Sequence, residues 1–218
     1  SEMINQVDDI EWIRFVTSYP KEKHFDLILK AMADLPKVCP YLHMPAQSGS
    51  DKILKAMNRK YTSAKYLELL ERAGNIVPGI AVAGDFIVGF PEETDADFEA
   101  TMDLVREVKY GYAYSFKYST RPGTPAAERE LVDAAVADER LQRLQGLITE
   151  QQRSIQNAMV GRGLSVLVEK SGREAGQMVG KSEYLHSVHI DDATAKVGEV
   201  ARVRIVDAKT NSLTAVQL

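Results

Sequence analysis

The order of apolar segments constrains the fold of this chain more than any other feature. Before residue 120, four apolar runs of strand-like length alternate with segments of helical periodicity, at 12–18, 40–46, 80–90 and 112–119. Strands that are apolar along their whole length are typical of a parallel sheet covered on both faces. The alternation therefore predicts an α/β fold, either part of a (β/α) barrel or a small doubly wound sheet.

The helical segments carry their own boundary signals. Thr94 and Asp97 have the spacing of a capping box, and Gly111 is placed to end the helix that they begin. A longer helical pattern runs from Asp133 to Val160, where two glycines follow. This long helix is expected to connect the α/β part to a region of different character.

The last part of the chain has the pattern of a second, all-β unit. Five short runs of alternating polarity are separated by Gly, Ser, Asp and Asn, and they lie at 164–170, 176–182, 184–190, 199–209 and 212–218. Such spacing predicts a small antiparallel β-barrel. We expect two domains, a partial (β/α) barrel with its connecting helix at 1–155 and the β-barrel at 156–218.

Composition narrows the function classes. The net charge of −4 argues against a chain devoted wholly to nucleic acid, but the region from residue 157 onward has 8 Lys/Arg against 7 Asp/Glu, whereas the preceding region has 19 against 24. Cys39 is the single cysteine, which excludes an internal disulfide and an all-cysteine metal site and favours a buried structural thiol. The four histidines lack metal-ligand spacing, and no apolar stretch is long enough to span a membrane, so no membrane partner is expected.

The chemistry is expected where the parallel strands end. Because the carboxyl ends of such strands meet at one edge, the four corners TSYP, QSGS, GFPEET and STRPGTP should lie together. Arg121 precedes a proline, which holds its backbone extended, and an arginine at this position is suited to bind a carboxylate or phosphate. A solvated arginine without a ligand fits the pattern equally well. QSGS offers amide, hydroxyl and backbone N–H groups, but Ser50 would also serve as an ordinary helix cap. GFPEET is likewise compatible with a plain strand–turn–helix joint.

Three segments, taken together, carry a family resemblance. The stretches 37–62, 85–102 and 114–127 resemble the radical S-adenosylmethionine methylthiotransferases, and most of all the MiaB-type tRNA enzymes, in order and approximate spacing. The final β region is similar to a TRAM domain, a small RNA-binding barrel, so the resemblance covers nearly the whole chain. It implies sulfur insertion and methylation at carbon 2 of an isopentenyl-modified adenosine in the tRNA anticodon loop.

The resemblance also implies cofactors and the residues that contact them. Members of the family use S-adenosylmethionine and 4Fe–4S clusters, the radical-generating one held by a CxxxCxxC motif. By resemblance, the cofactor rim comprises Gln47, Ser48, Ile87, Gly89, Glu92 and, as a weaker candidate, Ser18. The family usually has glycine where this chain has Glu92, so Glu93 shares the claim to the carboxylate role. Arg121 is expected to face the substrate.

The chain departs from the family at the cluster motif. An iron–sulfur cluster needs several thiolates, and Cys39 does not lie in such a motif. We therefore expect a C-terminal fragment of a cytoplasmic enzyme that begins after the cluster-binding strand and is inactive alone. A half-barrel would expose two sheet edges, which predicts self-association of the fragment.

The β region is expected to hold RNA on one face. Arg202 and Arg204 alternate onto one side of a strand whose Val203 and Ile205 point inward. A solvated outer face gives the same pattern. The complete set of predicted RNA contacts is Arg162, Arg173, Lys181, Tyr184, Arg202 and Arg204, where Tyr184 is the best aromatic for stacking on a base.

Two other readings remain open at this point. The related tRNA enzymes that act on threonylcarbamoyladenosine share QSGSD, so the modified base is not fixed by that motif. A different class of protein, a non-catalytic RNA-binding protein on a degenerate half-barrel, would also fit the single cysteine. An ordinary phosphate-ligand barrel enzyme is disfavoured because no phosphate loop or paired acid and base is evident.

Overall fold

The computed structural model describes residues 2–14, 16–17 and 22–218 of the chain. Their sequence folds into an α/β lobe followed by a closed β-barrel. The α-helices are α1 (Glu2–Asn5), α2 (Glu22–Asp34), α3 (Asp51–Ala56), α4 (Ser63–Ile76), α5 (Asp95–Val108) and α6 (Ala134–Asn157), and a short 3₁₀ turn lies at Pro125–Glu128. The strands are β1 (Tyr41–His43), β2 (Ala81–Val88), β3 (Tyr112–Lys117), β4 (Gly163–Ser171), β5 (Met178–Ser182), β6 (Ser187–Asp191), β7 (Val200–Ala208) and β8 (Leu213–Gln217).

The α/β lobe is built on a parallel sheet with the strand order β1-β2-β3. Alternate strand residues, among them Leu42, Phe86 and Val88, are buried against the helices. Phe25 of α2 and Phe98 of α5 belong to the same core. The predicted α/β class is thus present, with apolar residues of α2, α4, α5 and α6 in one core with the sheet.

Two local expectations for this lobe were wrong. In the described part of the run 12–18, Ile13 makes only an isolated parallel bridge to Val38, so the run is not a full strand. Gly111 does not end α5, because Lys109 already adopts a left-handed conformation, with φ 56°, at the C-cap. The capping box is confirmed: Thr94 accepts from the backbone of Asp97, and the Asp97 side chain accepts from the Thr94 N–H.

The five predicted strand runs of the last region form a closed barrel with the order β4-β5-β6-β8-β7. Val203 and Ile205 point into its core, as expected from their alternation with arginines. The expectation of a purely antiparallel barrel was wrong, because β6 and β8 pair in parallel. Up-and-down strands cannot alternate around a closed ring with an odd number of members, so one pair must run in the same direction.

Helix α6 reaches both cores. Leu144 and Ile148 are buried in the core of the α/β lobe, while Ile155 packs against the barrel core. The lobes also touch away from this helix, where Arg14 donates to the Ser182 carbonyl at 2.8 Å and the Tyr112 and His186 rings lie 5.6 Å apart. Among the residues described, no helix has the length and apolarity required to cross a membrane.

Candidate functional site

The QSGS corner and β2 meet at the carboxyl edge of the sheet. Gln47 donates its N–H to the Asp85 carbonyl at 2.7 Å, and Ile87 donates to the Gln47 carbonyl at 2.9 Å. Gln47 has a φ of 68°, a left-handed conformation that is unusual for a residue with a side chain. The Gln47 residue as a whole is buried, but its side-chain amide is not sealed from solvent and makes no hydrogen bond within the described chain, which leaves its donors and acceptor available to a polar ligand.

The rest of the QSGS corner is fastened to α5 by Thr101. The Thr101 hydroxyl accepts from the Gly49 N–H at 2.9 Å and lies 3.2 Å from the Ser48 hydroxyl. A Cβ on Gly49 would lie 2.2 Å from the Ala100 carbonyl oxygen, so only glycine permits this approach. Ser48 is buried, and its hydroxyl also accepts from the Ser50 N–H at 3.1 Å. The Ser48 side chain therefore holds the corner in shape.

Asp97 ties the same corner to the helix that follows GFPEET. Its carboxylate accepts from the Ser50 hydroxyl at 2.7 Å and from the Lys52 ammonium at 2.8 Å. Burial opposes the charged form, but hydrogen bonds from Lys52, Ser50 and Thr94 outweigh it and hold the pKa of Asp97 well below its usual range. Because Lys52 also donates to the Glu92 carbonyl at 2.8 Å, it links the QSGS and GFPEET corners.

The GFPEET turn is held by a buried ion pair. Gly89, with a φ of 67°, donates its N–H to the Glu93 carboxylate at 3.0 Å. The same carboxylate lies 2.8 Å from Arg140 of α6, which also donates to Asp95 at 2.6 Å. Burial raises the pKa of Glu93, while the Gly89 N–H and the Arg140 guanidinium stabilise its charged form. Glu93 is thus occupied in shaping the turn.

The predicted cofactor residue Glu92 and the predicted substrate residue Arg121 are both exposed. Glu92 has a φ of 64° and pairs with Arg129 at 3.4 Å at the surface. Arg121 is exposed, and its carbonyl accepts from the Thr124 hydroxyl at 2.8 Å in the turn after β3. Ser18 lies outside the described residues.

Sequence reasoning missed two charged groups that the fold brings to important positions. Arg140 lies four residues before Leu144, on the apolar stripe of α6, and that position is the signal that it is buried. Asp85 interrupts the apolar run 80–90, and its carboxylate lies 3.2 Å from His43 Nε2. A charge inside a buried pattern was the available signal in both cases.

The residues of this chain do not supply cluster ligands. Cys39 is buried, as predicted, and burial raises the pKa of its thiol. Within the described ranges, no group of three or more His, Cys, Asp or Glu is placed to hold a metal ion. A 4Fe–4S cluster needs several cysteine thiolates, so its ligand set does not fit these residues.

Most of the predicted RNA contacts of the barrel come together at the β4–β7 pair. Arg202 lies opposite Ser165 and Arg204 opposite Gly163, while Arg162 immediately precedes β4. Arg202 donates to the Ser165 hydroxyl at 3.0 Å. Lys181 lies opposite Leu167 on the neighbouring strand β5. Arg173 is separated from this cluster, beyond the other end of β4, and Tyr184 is half-buried against the barrel core.

Comparison with protein families assigns each lobe separately. Residues 2–105 match the model of the radical SAM superfamily, and residues 157–218 match that of the TRAM domain. The coproporphyrinogen III oxidase of Escherichia coli, a radical SAM enzyme, aligns with a TM-score of 0.46 at 13% identity, covering 91% of this chain and 56% of that chain.

Curated relatives match over nearly the entire chain. A tRNA-2-methylthio-N(6)-dimethylallyladenosine synthase of Roseobacter denitrificans is 63% identical over 99% of this chain and 48% of its own length. The protein of the same name from Ruegeria pomeroyi is 61% identical over 96% of this chain and 48% of its own length. The chain thus spans about half the length of the curated relatives it matches.

Proposed function

Because this chain belongs to the radical S-adenosylmethionine methylthiotransferases, we propose that it serves in the 2-methylthiolation of an N6-isopentenyl-modified adenosine in tRNA. The α/β lobe would be the partial (β/α) barrel, residues 1–155, and residues 156–218 the RNA-binding domain. The observation that carries the proposal is the hydrogen-bonded junction of Gln47 with Asp85 and Ile87 at the carboxyl edge of the sheet, the place where such folds bind their ligands.

We propose that S-adenosylmethionine binds at this edge. The fit rests on the Gln47 amide, which lacks a partner among the described residues, and on the apolar side chain of Ile87 beside it. Gly89 and Ser48 would act by shaping the backbone, since the N–H of Gly89 and the hydroxyl of Ser48 already have protein partners. Glu92 is exposed and able to turn toward a ligand, whereas Glu93 is held by Arg140.

The cofactors supply the radical and the transferred groups, and this chain positions them. The ligands of a 4Fe–4S cluster would lie outside these 218 residues, so a chain of this length is expected to be inactive by itself. We place the enzyme in the cytoplasm, with the tRNA anticodon loop as its partner. Arg121 would face the substrate from the turn after β3.

The barrel would bind the tRNA backbone. Arg162, Lys181, Arg202 and Arg204 present positive charge near one strand pair, and such residues bind phosphates in a salt-dependent manner. Arg173 would make a separate contact from the loop after β4. Tyr184, which is half-buried against the barrel core, would offer the exposed part of its side chain to a base.

The test is anaerobic reconstitution of the full-length protein with iron, sulfide and S-adenosylmethionine. We expect it to convert isopentenyl-modified tRNA from a strain lacking the modification into the 2-methylthio form, as read by mass spectrometry of nucleosides. Conversion of threonylcarbamoyl-modified tRNA instead would reassign the substrate. Tight tRNA binding with neither cluster nor conversion would favour a non-catalytic RNA-binding protein.

The self-association of the isolated chain stays a prediction from the two edges of a half-barrel, one at β3 and one at β1, where Thr17 donates to the His43 carbonyl. Light scattering across a range of protein concentrations should give a mass above the 24.2 kDa of one chain. A mass of one chain at every concentration would contradict it.

A further inference from the structure

At the end of β2, the hydrogen bonding of the strand passes from a neighbouring backbone to a side chain. The N–H groups of Ile87 and Gly89 lie two residues apart and therefore point to the same side of the strand. Ile87 donates to the Gln47 carbonyl at 2.9 Å. Gly89 donates instead to the Glu93 carboxylate at 3.0 Å. The Glu93 side chain thus takes the acceptor position that a neighbouring strand would supply, and the path of the chain beyond β2 depends on where this carboxylate is held.

Arg140 holds this carboxylate from the side of the connecting helix α6. One guanidinium nitrogen donates to the Glu93 carboxylate at 2.8 Å and to the Glu93 carbonyl at 3.0 Å. The other nitrogen donates to the Asp95 carboxylate at 2.6 Å. A planar guanidinium has its donors at fixed angles, whereas the ammonium of a lysine is a flexible point charge. Arg140 therefore fixes both a side chain and the backbone of the turn.

Arg140 is itself anchored. Leu144, one turn further along α6, is fully buried in the α/β core. The guanidinium carbon lies 5.7 Å from the centre of the Phe98 ring on α5. Ala137 lies three residues before Arg140 on the same face of α6, and a Cβ on Gly89 would come within 2.7 Å of its Cβ. Helix α6 therefore touches the turn at two points, one helical turn apart.

Stability alone does not explain a buried pair of this kind. Taking two charges out of water is costly, and well-packed apolar residues of similar volume often stabilise a core as much as a buried ion pair. Apolar side chains cannot accept from the Gly89 N–H or donate to the Glu93 carbonyl. The pair is therefore suited to fixing a backbone geometry. The backbone that it fixes adjoins the junction of Gln47 and Ile87, where we propose that S-adenosylmethionine binds.

We propose that Arg140 is a positioning residue for the cofactor. Through Glu93 it sets the position of the Gly89 backbone, and with it the end of β2 against which S-adenosylmethionine binds. The helix that leads to the RNA-binding barrel therefore also completes the cofactor edge. The inference rests on the proposed function and adds a residue that lies beyond the segment 2–105 matching the radical SAM model.

The first test compares Arg140→Met with the double variant Arg140→Met/Glu93→Gln in the full-length reconstituted protein. The single variant leaves a buried carboxylate without its cation, so it should lose both stability and affinity for S-adenosylmethionine. The double variant removes the unpaired charge and keeps a side-chain oxygen for the Gly89 N–H, so its midpoint of unfolding in urea should return toward wild type. Its affinity for S-adenosylmethionine should remain about tenfold below wild type, an effect of the size of one hydrogen bond.

Equilibrium dialysis with labelled S-adenosylmethionine gives these binding constants without any turnover. Affinity that recovers together with stability in the double variant would show a purely structural role and overturn the proposal. Arg143→Met, three residues along the same helix at an exposed position, is the matched control and should change the affinity by less than about twofold. A loss in Arg143→Met as large as that in the double variant would also overturn a specific role for Arg140.

Hydrogen exchange of the cofactor-free protein reports on the turn directly. The Gly89 amide, which donates to Glu93 in wild type, should exchange about tenfold faster in the double variant, as followed by mass spectrometry of the peptide that contains it. The amide of Val168 in the barrel, which donates to the Glu199 carbonyl, should keep its rate. Equal protection of Gly89 in wild type and the double variant would contradict positioning by Arg140.

Binding of S-adenosylmethionine also separates this inference from the proposed function. If wild type binds S-adenosylmethionine and the double variant binds it weakly, but wild type does not methylthiolate tRNA, the reaction is wrong and the role of Arg140 stands. If wild type methylthiolates tRNA and the double variant binds S-adenosylmethionine as wild type does, only the role of Arg140 is wrong. If wild type does not bind S-adenosylmethionine, both are wrong.

Discussion

In the barrel, each strand is paired on both sides and one face of each strand is buried. Among the described residues, the α/β sheet has β1 and β3 as its outer strands and helices on one face only. The barrel core is aliphatic, from Leu164 to Ala215. The sheet carries Asp85, His43 and exposed aromatics on its other face. Burial of apolar area is sufficient to account for the stability of the barrel. It does not account for the polar and aromatic side chains on the second face of the sheet.

The two regions also differ in how they use charge. Arg140 and Glu93 are buried together in the α/β lobe, with side chains that keep 5% and 1% of their accessible surface. The arginines of the barrel, such as Arg202 and Arg204, are exposed. A buried pair fixes backbone geometry at a cost in desolvation, while exposed cations remain available to phosphates.

The strongest loss is expected at the buried pair. Arg140→Met would leave the Glu93 carboxylate buried without its cation, which costs about 3–5 kcal/mol of unfolding free energy. Arg143→Met is the control on the same helix, since Arg143 keeps 43% of its side-chain surface and an exposed pair contributes at most about 1 kcal/mol. Urea unfolding measures both. Similar losses for the two variants would contradict a special role for Arg140.

Glycine substitutions probe close packing in each lobe. A Cβ on Gly49 would meet the Ala100 carbonyl oxygen at 2.2 Å, and one on Gly180 would meet the Leu167 carbonyl oxygen at 2.1 Å. Each replacement by alanine should destabilise its own lobe by about 3 kcal/mol through backbone displacement. Hydrogen exchange followed segment by segment would show whether the other lobe is spared.

A matched control for these glycines lies in α4. A Cβ on Gly74 would have no atom within 4 Å, so Gly74→Ala should stabilise the chain by about 1 kcal/mol through helix propensity. Loss of stability in Gly74→Ala would show that the clash distances are a poor guide to this fold.

The contact between the lobes should weaken in mild acid. Burial, aided by Lys181 and Arg162, lowers the pKa of His186 to about 4 from 6.5. Because the unfolded chain binds this proton more readily, stability present above pH 6.5 is lost as the pH falls toward 4, by at most about 3 kcal/mol. His186→Asn should flatten this part of the stability curve, whereas His24→Gln, at an exposed position, should not.

The weakest effect concerns the exposed arginines of the barrel. The logarithm of the tRNA binding constant should fall linearly with the logarithm of the salt concentration. Arg202→Gln and Arg204→Gln should each reduce the steepness of that line by about one unit without changing base preference. Binding measured across a salt series tests this. An unchanged slope in both variants would show that the RNA binds elsewhere. If only Arg173→Gln lowered the slope, the RNA would bind at the loop after β4.

Much of the architecture followed from local pattern. Alternation at Val203 and Ile205 predicted the inward face of β7, and Thr94 with Asp97 predicted the start of α5. The first strand was misjudged at Ile13 because a single apolar run does not say whether a partner strand lies beside it. The parallel pair β6–β8 was missed because it depends on closure of the ring, which no local pattern encodes.

The candidate site, like the fold, has features that the sequence predicts and features that depend on the tertiary structure. The order of residues alone established that polar corners follow the strands and that these corners resemble those of a known family. Folding in three dimensions settled that Glu93 is held by Arg140, that Ser48 is fastened to Thr101, and that the Gln47 amide has no partner among the described residues. The physical reason is that hydrogen-bond partners more than 40 residues apart along the chain are chosen by packing, which a pattern of neighbouring residues does not contain.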